Sequence, residues 1–134
     1  MLSAVQSPTE REARRPAILV VEDEVLIRSA VADYLRASGY LVLEAANAAE
    51  AISVMAAEVP IHVVFSDIHM PGTMNGLALA RWVSHHCPDV HVVLTSGNAD
   101  ATRAAELAEV FFAKPYRAAE VANSIRMLLA EVPG

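Results

Sequence analysis

The sequence is short of cysteine, of positive charge and of long apolar runs, and each shortage removes a class of protein. The one cysteine, Cys87, has no partner for an internal disulfide, so the chain is no disulfide-stapled scaffold; in a reducing compartment the thiol reads as a small hydrophobe. No apolar stretch is long enough to span a bilayer and the start lacks a signal-peptide pattern, which predicts a cytoplasmic protein with no membrane partner. Ten Lys and Arg against 16 Asp and Glu leave a net charge of −6, which speaks against direct nucleic-acid binding. There is no internal repeat and no low-complexity tract beyond local alanine enrichment.

What is present is a compact composition, 54% hydrophobic and 19% charged over 134 residues, enough for one domain with one core. The opening segment "MLSAVQSPTEREARRP" carries the one basic patch, Arg11, Arg14 and Arg15, without apolar periodicity. Residues 1–15 therefore read as a flexible solubilising tail and residues 16–134 as the domain.

Five short apolar runs recur, at Ala17 to Val21, Tyr40 to Leu43, Ile61 to Phe65, Val90 to Leu94 and Val110 to Ala113. Rich in Val, Leu, Ile and Phe, they suit parallel strands covered on both faces. Helical patterns lie between them. Glu24 to Ser38 stops at Gly39, Asn47 to Glu58 opens on an N-cap residue and closes at Pro60, and Gly76 to His86 and Arg117 to Glu131 carry apolar stripes. The segment "SGNADATRAAELAE" leaves little room for a fourth helix, which is predicted short or irregular. Such alternation implies right-handed crossovers and a parallel sheet between helices.

Ligands of such sheets bind beyond the carboxyl ends of the strands. Four of the five strands end there in reactive groups: Glu22 and Asp23, then Asp67, then Thr95 and Ser96, then Lys114. Three carboxylates gathered at one edge repel unless a cation compensates, and with no cysteine or paired histidine at that edge the oxygen donors favour Mg²⁺ over zinc. Carboxylate, metal, lysine and hydroxyl together form a phosphoryl-transfer site whose nucleophile belongs to the protein. Asp67, alone at its strand end, is the best nucleophile, while the adjacent Glu22 and Asp23 are placed as metal partners.

The stretches "VVEDE", "FSDIHMPG", "LTSG" and "KPY", in that order, resemble the receiver domain of bacterial two-component response regulators, of the stand-alone type, over residues 16 to 132. The resemblance implies a flavodoxin-like (βα)5 doubly wound α/β fold with strand order 2-1-3-4-5. It also implies Asp67 as phosphoacceptor, and a Mg²⁺ pocket of Glu22, Asp23, Asp67 and the His69 backbone carbonyl. Thr95 is then the switch hydroxyl, Lys114 the phosphate clamp before a cis Pro115, and Phe111 the aromatic that follows Thr95 inward. The implied function is a phosphorylation-dependent switch rather than an enzyme. Its donor would be a sensor histidine kinase or histidine phosphotransfer protein, its target an unknown downstream protein, with homodimerisation left open. Two other readings compete. A phosphohydrolase or phosphotransferase working through an aspartyl phosphate would need a cap and a further acid or base, yet His69 stands where a second aspartate is common. A degenerate receiver, acting as an unphosphorylated interaction module, sits badly with the intact reactive set.

The sequence departs from the family pattern in places. Only 19 residues separate Thr95 from Lys114, the aromatic on the fifth strand is Phe111 instead of tyrosine, and the loop "IHMPGTMNG" carries one extra residue before Gly76. Gly97 sets no side chain over the acceptor, which predicts easy water access and a short-lived acyl phosphate. No output domain is expected after the last helix. His85 and His86 read as a solvated pair at a helix C-terminus, His62 and His91 stand away from the reactive edge without an assigned role, and Trp82 is expected to flank the core. Val25, Leu26 and Ile27 cannot all face inward, so part of the first helix should be exposed, where the family docks its histidine-bearing partner.

Overall fold

The computed structural model describes residues 15–97, 101–104 and 106–130. The tail expected at residues 1–15 lies outside them, apart from Arg15. Strand and helix alternate as the apolar pattern requires: β1 Ala17–Val21, α1 Val25–Ala37, β2 Leu41–Ala45, α2 Ala48–Ala56, β3 Val63–Asp67, α3 Gly76–His86, β4 His91–Ser96, α4 Ala101–Ala104, β5 Val110–Ala113 and α5 Ala118–Ala130. The five strands form one parallel sheet in the order β2-β1-β3-β4-β5. This is the flavodoxin-like doubly wound arrangement, and α4, four residues long, is short as expected.

Successive side chains of a strand face opposite ways, and the core divides accordingly. Ile18, Val20, Val63, Phe65 and Val93 pack against Val31, Ala32 and Leu35 of α1 and against Val121, Ile125 and Leu128 of α5. Leu19, Val21, Val64 and Leu94 face Ala48 and Ala51 of α2 and Leu79, Ala80 and Val83 of α3. With both faces covered, β1 and β3 are buried along their whole length.

Local chemistry sets the element ends. Asn47 caps α2 by accepting from the Glu50 N–H, Asn75 caps α3 by accepting from the Ala78 N–H, and Gly39 follows α1 with φ 102°. Strands β2, β3 and β4 run further toward the reactive edge than hydropathy alone suggests, because sheet pairing carries the polar residues Glu44, Ser66, Asp67, Thr95 and Ser96 into the ladder. Trp82 is half-buried against the core and stacks on His86, 4.4 Å between ring centroids, while His85 and His86 are exposed. His62, given no role by the sequence, accepts the Ala17 N–H at 3.0 Å and so fastens the start of β1 beside β3.

One glycine governs how α3 meets the sheet. The Gly76 N–H donates to the Ile68 carbonyl at 2.8 Å, and a Cβ built at Gly76 would lie 2.2 Å from the Asp67 carbonyl oxygen and 2.7 Å from the Ile68 Cα. Both obstacles are backbone, so a side chain there must push α3 off the end of β3. Gly76→Ala is expected to lower stability by at least about 2 kcal/mol, in the range of core overpacking, read as a lower denaturant midpoint with unchanged slope.

Candidate functional site

The carboxyl ends of β1, β3, β4 and β5 converge as the sequence predicts. Asp67 closes β3 and is 5% exposed; Glu22, one residue past β1, is 3% exposed; Asp23 beside it is open to solvent. Lys114, just past β5, reaches between the two buried acids, its Nζ donating to Glu22 Oε1 at 2.8 Å and to Asp67 Oδ2 at 2.8 Å. It thus joins the two buried carboxylates through one ammonium. The second oxygens are also held: Glu22 Oε2 accepts from the Glu24 N–H at 3.1 Å and Asp67 Oδ1 from the His69 N–H at 3.2 Å. The Lys114–Pro115 peptide bond is cis.

Burial and charge shift the site's titrations in ways that can be traced. Burial pushes the Glu22 pKa above the ordinary carboxylate range; the hydrogen bonds from Lys114 and the Glu24 N–H counter it, and the Asp67 charge adds to it. Burial alone would lower the Lys114 pKa, but its hydrogen bonds to Asp67 and Glu22 prevail and hold the ammonium well above its usual range. Tyr116, packed edge-to-face on Phe65 at 5.3 Å, is pushed up to about 12, first by burial and then by the Glu22 charge, so its phenol stays protonated.

One carboxylate oxygen from each of Glu22, Asp23 and Asp67 lies within 4.8 Å of the others. Lys114 supplies a single positive charge against three carboxylates, and the cluster offers oxygen alone, without sulfur or imidazole. That donor set fits a hard divalent ion such as Mg²⁺.

Thr95 is the residue whose geometry departs from a simple reading of the motif. It is buried, yet its Oγ1 donates to the Phe112 carbonyl of the neighbouring strand at 2.7 Å, not to Asp67. Phe111, paired in register with Leu94, is half-buried on the α2–α3 side of the sheet. Gly97 stands exposed at the end of β4, and among the described residues nothing lies within 4 Å of a Cβ built on it. Beside Lys114, Leu26, Ile27, Ala30, Pro115 and Tyr116 line a mostly apolar cavity of about 590 Å³, and Val25 and Leu26 next to it are 59% and 85% exposed.

The sequence matches the family model of the response regulator receiver domain over residues 18–126. The chain belongs to that family. It is 34% identical over 115 residues to the C4-dicarboxylate transport transcriptional regulatory protein DctD of Rhizobium meliloti, covering 83% of this chain but only 25% of DctD. To the two-component response regulator ORR3 of Oryza sativa it is 31% identical over 114 residues, covering 81% of this chain and 86% of that protein. The receiver domain of NtrX from Brucella abortus superposes with a TM-score of 0.78 at 32% identity, over 85% of this chain and 98% of that one. Receiver domains are signalling switches of two-component systems that bind Mg²⁺ at an acidic pocket and work with histidine kinases or phosphotransfer proteins. Among the described residues, no helix of this receiver is long and apolar enough to cross a membrane.

Several residues that shape the site carried no sequence signal strong enough to single them out: Gly76, and the Arg28–Glu44 pair behind Glu22 (Nε to Oε1, 3.1 Å). Glu22 yields a pH test. Its proton is held to higher pH in the folded receiver than in the unfolded chain, so its contribution to stability is complete below the ordinary carboxylate range and is lost as pH rises through the raised value. In metal-free buffer, Glu22→Gln should match the wild-type denaturation midpoint in acid and exceed it near neutrality.

Proposed function

We propose that this receiver is a phosphorylation-dependent switch whose acceptor is Asp67. The observation that carries this reading is the geometry around that side chain: a nearly buried carboxylate, one oxygen held by the Lys114 ammonium at 2.8 Å, with the acids of Glu22 and Asp23 alongside. An Asp67 oxygen attacks the phosphorus of a partner's phosphohistidine. The new O–P bond forms as the P–N bond breaks, and the imidazole leaves with the electron pair and takes up a proton. Lys114, already between the acids, shifts its bonding to the incoming phosphoryl oxygens, a change its raised pKa favours by keeping it charged.

Mg²⁺ would be held by Glu22, Asp23, Asp67 and the His69 backbone carbonyl, and when bound it offsets the negative charge that builds on the phosphoryl oxygens. Lys114 by itself cannot do this, since its single charge stands against a cluster of three carboxylates.

After transfer, the phosphoryl group offers acceptor oxygens and roughly two negative charges. Thr95 would exchange the Phe112 carbonyl for one of them, and Phe111, on the strand that Thr95 then releases, would move inward. The exposed apolar lip of Val25 and Leu26 with the cavity beside Lys114 supports docking of a histidine-bearing helical partner at this end of α1. A cytoplasmic setting, a protein target downstream and self-association through the receiver belong to the same reading.

The test is incubation with acetyl phosphate and Mg²⁺, followed by intact-mass measurement. The wild type should gain one phosphoryl group and Asp67→Asn none; equal labelling of both would overturn the assignment. Gly97 places no side chain at the end of β4, so the acyl phosphate should be short-lived in Mg²⁺, and a long side chain at position 97 should slow its decay; survival for many hours in the wild type would refute it.

A further inference from the structure

The acidic pair is unequally anchored. Glu22 is fixed through both carboxylate oxygens and through its own N–H, which donates to the Ala45 carbonyl at 3.0 Å. Asp23 is exposed, and among the described residues its carboxylate makes no hydrogen bond. The position of that carboxylate therefore depends on the backbone that carries it, above all on the plane of the Glu22–Asp23 peptide.

That peptide lies just past the end of β1, beyond the sheet ladder that would otherwise fix it. What holds its carbonyl is Arg28, whose Nη1 donates to the Glu22 carbonyl oxygen at 2.8 Å. The Arg28 side chain is 17% exposed, and its guanidinium is oriented by Glu44 of β2, which accepts from Arg28 Nε at 3.1 Å and, through its other oxygen, from Arg36 Nη2 at 3.0 Å. Arg36 reaches back to the Val42 carbonyl at 3.1 Å, so the chain of contacts begins and ends on backbone. The planar fork of arginine allows one side chain to serve a carbonyl and a carboxylate together, which a lysine ammonium on its flexible stem does poorly.

We propose that Arg28 is a positioning residue for the cation site: by clamping the Glu22 carbonyl it fixes the peptide plane that sets the Asp23 carboxylate within 4.8 Å of its Glu22 and Asp67 counterparts. Its charge is offset by Glu44, so Arg28 can stand behind the acidic cluster without neutralising it. Lys114 does the opposite, entering the cluster and lowering its charge. The inference rests on the Mg²⁺ pocket of the proposed function and adds to it a residue that touches neither metal nor phosphoryl group.

Calorimetric Mg²⁺ titration of the wild type, Arg28→Gln, Arg28→Lys and Glu44→Gln decides the matter, with unfolding midpoints of the metal-free proteins measured in parallel. Arg28→Gln should weaken Mg²⁺ binding at least about tenfold, as loss of an outer-shell partner does, and Arg28→Lys should recover little of it. Glu44→Gln, which keeps the clamp and loses only its support, should weaken binding by less. In the metal-free protein the Asp23 amide should exchange faster with solvent in Arg28→Gln than in Glu44→Gln. Acetyl phosphate labelling of Arg28→Gln should approach the wild-type rate once Mg²⁺ is raised to saturation.

A lower unfolding midpoint in Arg28→Gln with unchanged Mg²⁺ affinity would make Arg28 a strap between α1 and β2 and overturn the proposal. So would equal loss of affinity in Arg28→Gln and Glu44→Gln. Failure of the wild type to take up a phosphoryl group while these affinity differences persist would instead remove the switch reading and leave the positioning role standing.

Discussion

Two buried carboxylates facing each other across a sheet edge are tolerable only because one ammonium stands between them. Lys114 bonds Glu22 and Asp67 at the same 2.8 Å, tying the ends of β1, β3 and β5 through a single atom. Leaving buried charges uncompensated would cost several kcal/mol, so that contact must be in place before the rest of the edge can be arranged. The two pKa values are raised by opposite forces: burial lifts that of Glu22 against the pull of Lys114, while pairing with the two acids lifts that of Lys114 against its own burial.

The sheet supplies the convergence and the helices supply the precision. Parallel pairing brings Asp67 into register with Thr95 and sets Thr95 opposite Phe112. The α3 helix can approach Asp67 because residue 76 has no side chain, and α1 reaches back to the first strand through Arg28. Asp67 is thus framed by closely packed backbone, while the Lys114 ammonium and the Thr95 hydroxyl are each held by exchangeable side-chain hydrogen bonds.

Much of this was legible in the chain before any coordinates. An apolar run without polar alternation marks β1 as a covered strand, and polar residues past the ends of four of the five runs mark the reactive edge, so Glu22, Asp23, Asp67, Thr95 and Lys114 could be placed together from spacing. Strand ends were harder to read: β3 runs to Asp67 and β4 to Ser96 because hydrogen bonding to a neighbour carries polar residues that hydropathy counts as loop. The direction of the Thr95 hydroxyl was not legible either, since it depends on a carbonyl 17 residues away. Arg28 and Glu44 look like ordinary surface charges of a helix and a strand; only the register of β1 with β2 makes them neighbours of Glu22.

Under the proposed switch, the Thr95 hydrogen bond to the outermost strand sets a floor on how silent this domain can be. A neutral bond of that kind is worth about 1 kcal/mol net, which biases a rotamer only about fivefold at room temperature. If that bond is the resting latch, the hydroxyl visits its alternative position often without any signal. The contrast between off and on would then be limited by this single weak restraint at the sheet's edge, and background output would respond to whatever stiffens or loosens β5.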